Sequence, residues 1–187
     1  MPRQSDPRYM QSEQAICDAL ARLLEKKPLA SISMSELARE AGVSRCTLYA
    51  HHDNVSEAYE QTVRMFYERT ETFDEHFLCA SCQVRKTAMP YCERLREAGP
   101  YASVVNDDRF LPATIRTVVE QDFHSIKRRL QDVGVPADLA HVICLFQMSG
   151  CYSAATSVHA DGEEWKRYQE VIDRFVRGGM AALGVEL

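Results

Sequence analysis

A run of hydrogen-bond donors between Ser44 and His51 is the segment best suited to chemistry with another molecule. Ser44 is typical of a helix cap, and the helix that follows would present Arg45, Thr47, Tyr49 and His51 to solvent. Hydroxyl, guanidinium, phenol and imidazole groups can together contact phosphates and base edges. A helix N-terminus also carries partial positive charge that favours a phosphate. The run therefore predicts a DNA-reading helix.

A second short helix is predicted to hold this face in place. Ser33 and Glu36 form a capping box of the type Ser-x-x-Glu, which indicates that a helix begins there. Ala38, Gly42 and Leu48 follow the spacing Ala-x3-Gly-x5-Leu. Two helices that cross steeply need small residues at the crossing, and glycine permits the positive φ of a tight turn. The pattern predicts a helix-turn-helix.

Helical periodicity continues along the rest of the chain, without strand-like alternation or internal repeats. A first helix is predicted over about 8–26, and Asn54 with Glu57 resembles a capping box that opens a long helix. Further helices are predicted over about 112–133, 137–160 and 163–183. The predicted fold class is all-α, with an N-terminal three-helix helix-turn-helix domain followed by a helical ligand-binding and dimerisation domain.

Composition excludes several other classes of protein. The 187 residues are 45% hydrophobic, and no apolar run approaches the roughly 18 residues that span a bilayer. The N-terminus lacks the apolar core of a signal peptide, so a cytoplasmic protein without membrane contact is expected. We find no glycine-rich phosphate loop, nucleophile elbow or paired carboxylates, and therefore expect neither catalysis nor a cofactor.

Residues 41–52, Ala-Gly-Val-Ser-Arg-Cys-Thr-Leu-Tyr-Ala-His-His, resemble the recognition-helix signature of the tetracycline-repressor (TetR) family of one-component regulators. That signature typically reads Ala-Gly-Val-Ser-x-x-Thr-Phe/Leu-Tyr-x-His-Phe, and the resemblance covers about residues 9–67. It implies a DNA-binding domain at 9–54, an effector-binding and dimerisation domain at 55–187, and a homodimer on a palindromic double-stranded DNA operator. A small-molecule effector of unknown identity is also implied. The residues assigned to DNA are Ser33, Ser44, Arg45, Cys46, Thr47, Tyr49 and His51.

The chain departs from the family pattern at the start of the fourth helix. The family usually places a lysine there to meet a phosphate, whereas this chain has Val55. Residues 1–60 also carry nine acidic and seven basic side chains, and the whole chain has a net charge of -5. Because phosphate contacts supply much of DNA affinity, an alternative function is that of a TetR-like adaptor which binds a protein partner.

The last two predicted helices carry a candidate dimer interface. A patch of small residues on one and an apolar side on the other would form a four-helix interface with a second copy. The alternative is that the same residues form intrachain core. The predicted interface residues are Ser149, Tyr152, Ala155, Trp165, Tyr168, Ile172 and Phe175.

An effector pocket is predicted from aromatic and aliphatic residues with a few polar groups among them. The same residues could equally be solid core. The predicted lining residues are Phe66, Tyr91, Leu95, Tyr101, Phe110, Val118, Phe146 and Tyr152.

The seven cysteines suggest one weak candidate metal site. His76, Cys79 and Cys82 follow the spacing His-x2-Cys-x2-Cys, with Cys92 not far along the chain. Thiolate and imidazole ligands can hold zinc or copper, but this spacing on a helix matches a metal site only loosely. Reversible oxidation and ordinary thiols remain alternatives, so no metal is assigned.

Overall fold

The computed structural model describes residues 6–68, 91–115, 128, 130–160 and 162–184. Every regular element in these ranges is helical, which confirms the all-α prediction. Two 3-10 turns also occur, at Leu29–Ser31 and Gly99–Tyr101. The α-helices are α1 Pro7–Leu24, α2 Met34–Ala41, α3 Arg45–His51, α4 Val55–Glu68, α5 Tyr91–Arg96, α6 Ala102–Val105, α7 Phe110–Thr114, α8 Ala137–Ser157 and α9 Gly162–Ala182.

The chain divides into two compact units, and the first contains the helix-turn-helix. This unit comprises Met1–Thr70 and Ala98–Thr117. Helix α1 packs against α2 and α4, and the side chains of Ile16, Leu37 and Leu48 are fully buried in the resulting core. Burial of each such side chain contributes about 1.5–3 kcal/mol to the stability of the three-helix arrangement.

Residues 98–114 are hydrogen-bonded to the same core. The Tyr59 hydroxyl of α4 donates to the Val104 carbonyl at 3.3 Å, and the Ser103 hydroxyl donates to the Ala21 carbonyl of α1 at 2.7 Å. The first unit is therefore larger than a helix-turn-helix alone. A domain boundary between residues 54 and 55 stays a prediction.

The second unit comprises Glu71–Glu97 and Val118–Leu187, and within it α5 packs against α8. The Arg96 guanidinium donates to the carbonyls of Val158 and Ala160, both at 2.7 Å, and lies 4.3 Å from the centre of the Trp165 ring. Arg96 thus holds the turn that connects α8 with α9.

The observed helices follow the predicted ones closely where both can be compared. Helices α1, α8 and α9 lie within one to three residues of the predicted bounds. The helix predicted over 112–133 falls largely outside the described residues. None of the helices in the described ranges has the length and apolar character required to cross a membrane.

Candidate nucleic-acid interface

The recognition helix α3 has one buried side and one exposed side. Leu48 is fully buried beneath it, whereas Arg45, Cys46 and Tyr49 are exposed on the opposite side. The Tyr49 side chain is an unusual one to leave in solvent, with 48% of its surface exposed. Thr47 is half-buried at the edge of this surface. Three of the four polar residues predicted to share this face do so, and His51 is the exception; we call Arg45, Cys46, Thr47 and Tyr49 the polar face of α3.

Side-chain caps fix where the two short helices begin. The Ser44 hydroxyl accepts from the Thr47 backbone N–H at 2.9 Å and lies 2.7 Å from the Thr47 hydroxyl. The Ser33 hydroxyl accepts from the Glu36 backbone N–H at 3.3 Å, as its capping box predicts. Gly42 ends α2 in the left-handed conformation, with φ of 66°, and makes the tight turn possible. The predicted caps at Ser33 and Ser44 are confirmed.

His51 differs from its neighbours on α3 because its side chain is only 3% exposed. Its Nδ1 atom bonds the Glu13 carboxylate, and its Nε2 atom lies 2.8 Å from the Ser12 hydroxyl oxygen. The Tyr9 ring stacks on the imidazole with 3.9 Å between ring centres. Both ring nitrogens thus have partners inside the protein. The structure gives no support to the predicted phosphate contact, and His51 instead ties α3 to α1.

His52 is a residue of this region that sequence reasoning missed. Its Nε2 atom lies 2.8 Å from Glu13 Oε1, and its side chain is 5% exposed. The sequence did contain a signal for His52, because the family signature has phenylalanine at this position and this chain has histidine. A buried imidazole in place of an apolar ring requires a buried polar partner elsewhere in the chain.

Glu13 supplies that partner from α1. Burial by itself raises the pKa of the Glu13 carboxyl. The hydrogen bond and charge of His52, followed by those of His51, outweigh burial and hold the pKa below its ordinary value. Glu13 is therefore ionised at neutral pH and forms the polar centre of a buried cluster.

Both acidic side chains of α2 are paired with bases, which partly compensates the negative charge near the polar face of α3. Glu40 accepts from Arg22 Nε at 3.0 Å, and Glu36 pairs with Lys27. Hydrogen bonds from these bases hold the pKa of both carboxyls below their usual range. Their charges are locally compensated, although exposed ion pairs of this kind contribute little to stability.

The start of α4 has the predicted capping box but lacks a cation. The Asn54 side chain accepts from the Glu57 backbone N–H at 3.0 Å, and the Glu57 carboxylate accepts from the Asp53 backbone N–H at 2.6 Å. In a standard capping box the carboxylate accepts from the backbone N–H of the cap residue, which is Asn54 here. Glu57 instead accepts from Asp53, one residue earlier. Val55 is the first residue of α4 and is half-buried.

The second unit exposes an unusual amount of apolar surface on its two long helices. Phe146 is 67% exposed and Phe175 is 69% exposed. Together with neighbouring aliphatic residues they border a groove of about 300 Å³ between α8 and α9. We call the exposed apolar residues of this region the apolar face: Leu139, Val142, Phe146, Val171, Phe175 and Leu183.

The structure corrects part of the predicted dimer interface. Trp165 and Ala155 are only 5% and 6% exposed, because they pack within the unit. Neither can meet a partner in this arrangement. Phe175 belongs to the apolar face, and the remaining predicted residues are half-buried: Ser149, Tyr152, Tyr168 and Ile172.

The residues of the predicted effector pocket do not share one lining. Phe66, Tyr101 and Phe110 form an aromatic cluster in the first unit, with Phe66 and Phe110 ring centres 5.6 Å apart. Phe146 is 67% exposed and borders the groove between α8 and α9 in the second unit, whereas the aromatic cluster belongs to the first. Tyr91 and Leu95 are buried in the second unit, Tyr152 is half-buried there, and Val118 lies outside the described residues.

The predicted cysteine site also lies mostly outside the described residues, which include neither His76, Cys79 nor Cys82. Cys92 is buried in the second unit, where its sulfur accepts from Gln169 Nε2 at 3.6 Å. Its position therefore adds no support to a thiolate metal site.

Two short capped helices, a left-handed glycine between them and a polar outer face define a helix-turn-helix protein of the DNA-binding class. Comparison with known families agrees, since residues 16–54 match the family described as bacterial regulatory proteins, tetR family. The resemblance drawn from residues 41–52 is thereby confirmed over residues 16–54.

Comparisons over the whole chain are more distant. No curated protein matches the chain in sequence. Among solved structures, one similar chain is the TetR family repressor AlkX from Dietzia sp., implicated in the biodegradation of n-alkanes. It is 18% identical, the alignment covers 89% of this chain and 96% of that chain, and the TM-score is 0.43.

Proposed function

We propose that the protein is a ligand-responsive transcriptional repressor that binds a palindromic DNA operator as a homodimer. The observation that carries this proposal is the polar face of α3. A hydroxyl-capped helix that buries Leu48 and exposes Arg45 and Tyr49 has the surface required to enter a major groove.

Each side chain of this face would have a distinct part in binding. Arg45 can donate two hydrogen bonds to a guanine edge or to a phosphate. The hydroxyl groups of Thr47 and Tyr49 suit phosphate contacts that set the position of α3 in the groove. Cys46 is small enough to let the helix approach the bases closely. Ser33 and Ser44 support these contacts through the helix caps that they form.

The apolar face supports the homodimer. A single helix-turn-helix reads few base pairs, whereas a dimer places two recognition helices about 34 Å apart on one side of the duplex. Exposed aromatic residues such as Phe146 and Phe175 are typical anchors of a protein interface. The exposed glycines Gly178 and Gly179 lie beside them on α9 and allow helices to approach closely. A second copy is therefore the partner that we assign to this face.

The hydrogen bonds of residues 98–114 support control by an effector. Through Ser103 and Tyr59 this segment is bonded to α1 and α4, so its displacement would move helices that carry α3. An effector acts in this way only if it binds one arrangement more tightly than the other. The repressing direction of control follows from the family resemblance.

Fluorescence anisotropy with DNA from around the gene of this protein tests the proposal. We expect Arg45→Ala and Tyr49→Ala each to weaken specific binding by roughly 10- to 100-fold, which corresponds to about 1–3 kcal/mol. Arg167→Ala is the matched control, because it removes an equal charge from an exposed position of α9.

Two results would contradict the proposal. One is an affinity for this DNA no better than nonspecific binding, at a Kd of about 10⁻⁵ M or weaker in moderate salt. The other is an equal affinity for the wild-type chain and both α3 variants. Either would favour the adaptor that binds a protein partner.

A further inference from the structure

A buried polar cluster lies behind the recognition helix, on the side away from its polar face. Glu13 of α1 meets His51 at the last position of α3 and His52 immediately after it. One carboxylate oxygen and one nitrogen from each imidazole lie within 4.8 Å of one another. The side chains are only 3–5% exposed, so these groups have little access to water.

The Ser12 hydroxyl lies within hydrogen-bond distance of three groups, one of which is His51. The Ser12 hydroxyl is placed to donate to the backbone carbonyls of Tyr9 at 2.9 Å and Arg8 at 3.1 Å. A hydroxyl has one proton, so when Ser12 donates to a carbonyl its oxygen accepts from His51 Nε2, which lies 2.8 Å away. In that tautomer of a neutral imidazole the Nδ1 atom has a lone pair, and it faces the Glu13 carboxylate.

In that tautomer, a cation between His51 Nδ1 and the Glu13 carboxylate would satisfy both groups. His52 adds a third donor atom from the other side, since its Nε2 atom lies 2.8 Å from Glu13 Oε1. We propose that Glu13, His51 and His52 form a binding site for one divalent transition-metal ion of the zinc class. The ligands would be His51 Nδ1, His52 Nε2 and the Glu13 carboxylate.

The donor set fits this class of ion. Two imidazoles and one carboxylate are ligands that zinc and cobalt accept, with a fourth position left for water. The second nitrogen of a metal-bound histidine is commonly held by an oxygen, as Ser12 holds His51 here. The Tyr9 ring covers the outer side of His51 and limits exchange with solvent.

A proton on His51 Nδ1 is the competing explanation: it would satisfy the carboxylate in an imidazolium, or in the neutral tautomer in which Ser12 donates to Nε2. A proton there does not by itself require the second buried histidine. The family signature has an apolar phenylalanine at the position of His52, and an apolar residue there would avoid the cost of burying further polar groups. Three converging donor atoms favour the metal.

A metal here would join α1 to the end of the recognition helix without touching its polar face. Glu13 and His52 come from elements far apart in sequence, so a shared ion fixes the angle at which α3 leaves the core. The proposal concerns metal binding alone and does not depend on the proposed DNA function.

The test is a titration of the full-length, chelator-treated chain with Co²⁺, followed by competition with Zn²⁺. We expect one Co²⁺ per chain with the visible absorption of a four-coordinate site. Because the ligands are nitrogen and oxygen, the intense near-ultraviolet band of cobalt bound to thiolate should be absent. This distinguishes the cluster from any site formed by cysteines.

Two variants remove a ligand while keeping similar volume: Glu13→Gln and His52→Phe. Both should lower Co²⁺ affinity at least about 100-fold, and Zn²⁺ should raise the melting temperature of the wild-type chain but not theirs. His52→Phe keeps a buried ring but leaves Glu13 with one partner fewer, so circular dichroism without metal must show that this variant is folded. His159→Ala, which removes an exposed histidine, is the matched control and should bind as the wild type does.

Ser12→Ala tests the supporting contact, and its expected loss of affinity is roughly tenfold. A wild-type chain that binds no Co²⁺ after chelator treatment would overturn the proposal and identify the cluster as an imidazolium–carboxylate contact. Unchanged affinity in both Glu13→Gln and His52→Phe would overturn it as well.

Discussion

The polar face of α3 and the apolar face of α8 and α9 are both exposed, but they are built in opposite ways. On α3, one fully buried residue, Leu48, marks the inner side, and polar side chains occupy the outer side. On α8, apolar residues occur on every side, so that Met148 is fully buried while Phe146 is 67% exposed. The first surface suits a charged, hydrated partner, and the second suits a partner with an apolar surface of its own.

This difference explains why one surface is easy to find from sequence and the other is not. In an amphipathic helix the apolar residues define the core side and leave the polar side as the exposed one. In a helix that is apolar all round, periodicity cannot separate core from interface. On α8, Ala155 was predicted at the dimer interface and Phe146 in a pocket, yet Ala155 is buried and Phe146 is 67% exposed.

The first prediction uses Trp165 to test the buried side of α9. Trp165→Ala should lower the free energy of unfolding by about 3–5 kcal/mol, because it leaves a cavity and removes the ring on which Arg96 stacks. The measurement is denaturant unfolding followed by circular dichroism, at concentrations too low for association. Phe175→Ala is the control and should change the unfolding free energy of the monomer by less than about 0.5 kcal/mol. Equal effects of the two variants would contradict the assignment of Trp165 to a buried side and Phe175 to an exposed side of α9.

The second prediction tests the exposed side of the same helix. Phe175→Glu should weaken self-association by about 2–4 kcal/mol, or roughly 30- to 1,000-fold in Kd, because it places a charge on the apolar face. Sedimentation equilibrium measures this change directly. Met10→Glu, a charge introduced at an exposed apolar residue of the other unit, is the control and should leave association intact. A wild-type chain that stays monomeric at all accessible concentrations would refute the homodimer.

The helix-turn-helix could be predicted almost completely from the sequence, because its information is local. Ser33, Gly42 and Ser44 act on backbone groups within three to five residues, and the structure shows each in the predicted place. The Glu13 cluster could not be predicted, because it joins α1 to residues almost forty positions further along the chain. The one hint of the cluster in the sequence is that His52 stands where the family signature has phenylalanine. The spacing of residues along the chain does not identify Glu13 as the partner of His52, because the two are almost forty positions apart.

The third prediction tests how far the polar face depends on its local cap. Ser44→Ala should lower the free energy of unfolding by about 1 kcal/mol, because the Thr47 backbone N–H loses its acceptor. Thermal or denaturant unfolding monitored by circular dichroism gives the value. Ser35→Ala, at an exposed position inside α2, should change stability by no more than a few tenths of a kcal/mol. If the two variants are equally stable, α3 owes its position to Leu48 and the His51 contact rather than to its cap.

The smallest expected effect concerns Val55, where the polar surface around α3 lacks the lysine typical of the family. Val55→Lys should tighten binding to all DNA sequences alike and steepen the dependence of log Kd on log salt by about one unit, as one added phosphate contact requires. The lysine stem can replace the half-buried valine while its ammonium group reaches solvent. Anisotropy titrations at several salt concentrations measure the slope. Ser56→Lys adds the same charge at the neighbouring, exposed position of the same turn, and should alter the slope less. An unchanged slope in Val55→Lys would mean that the start of α4 does not face the DNA backbone.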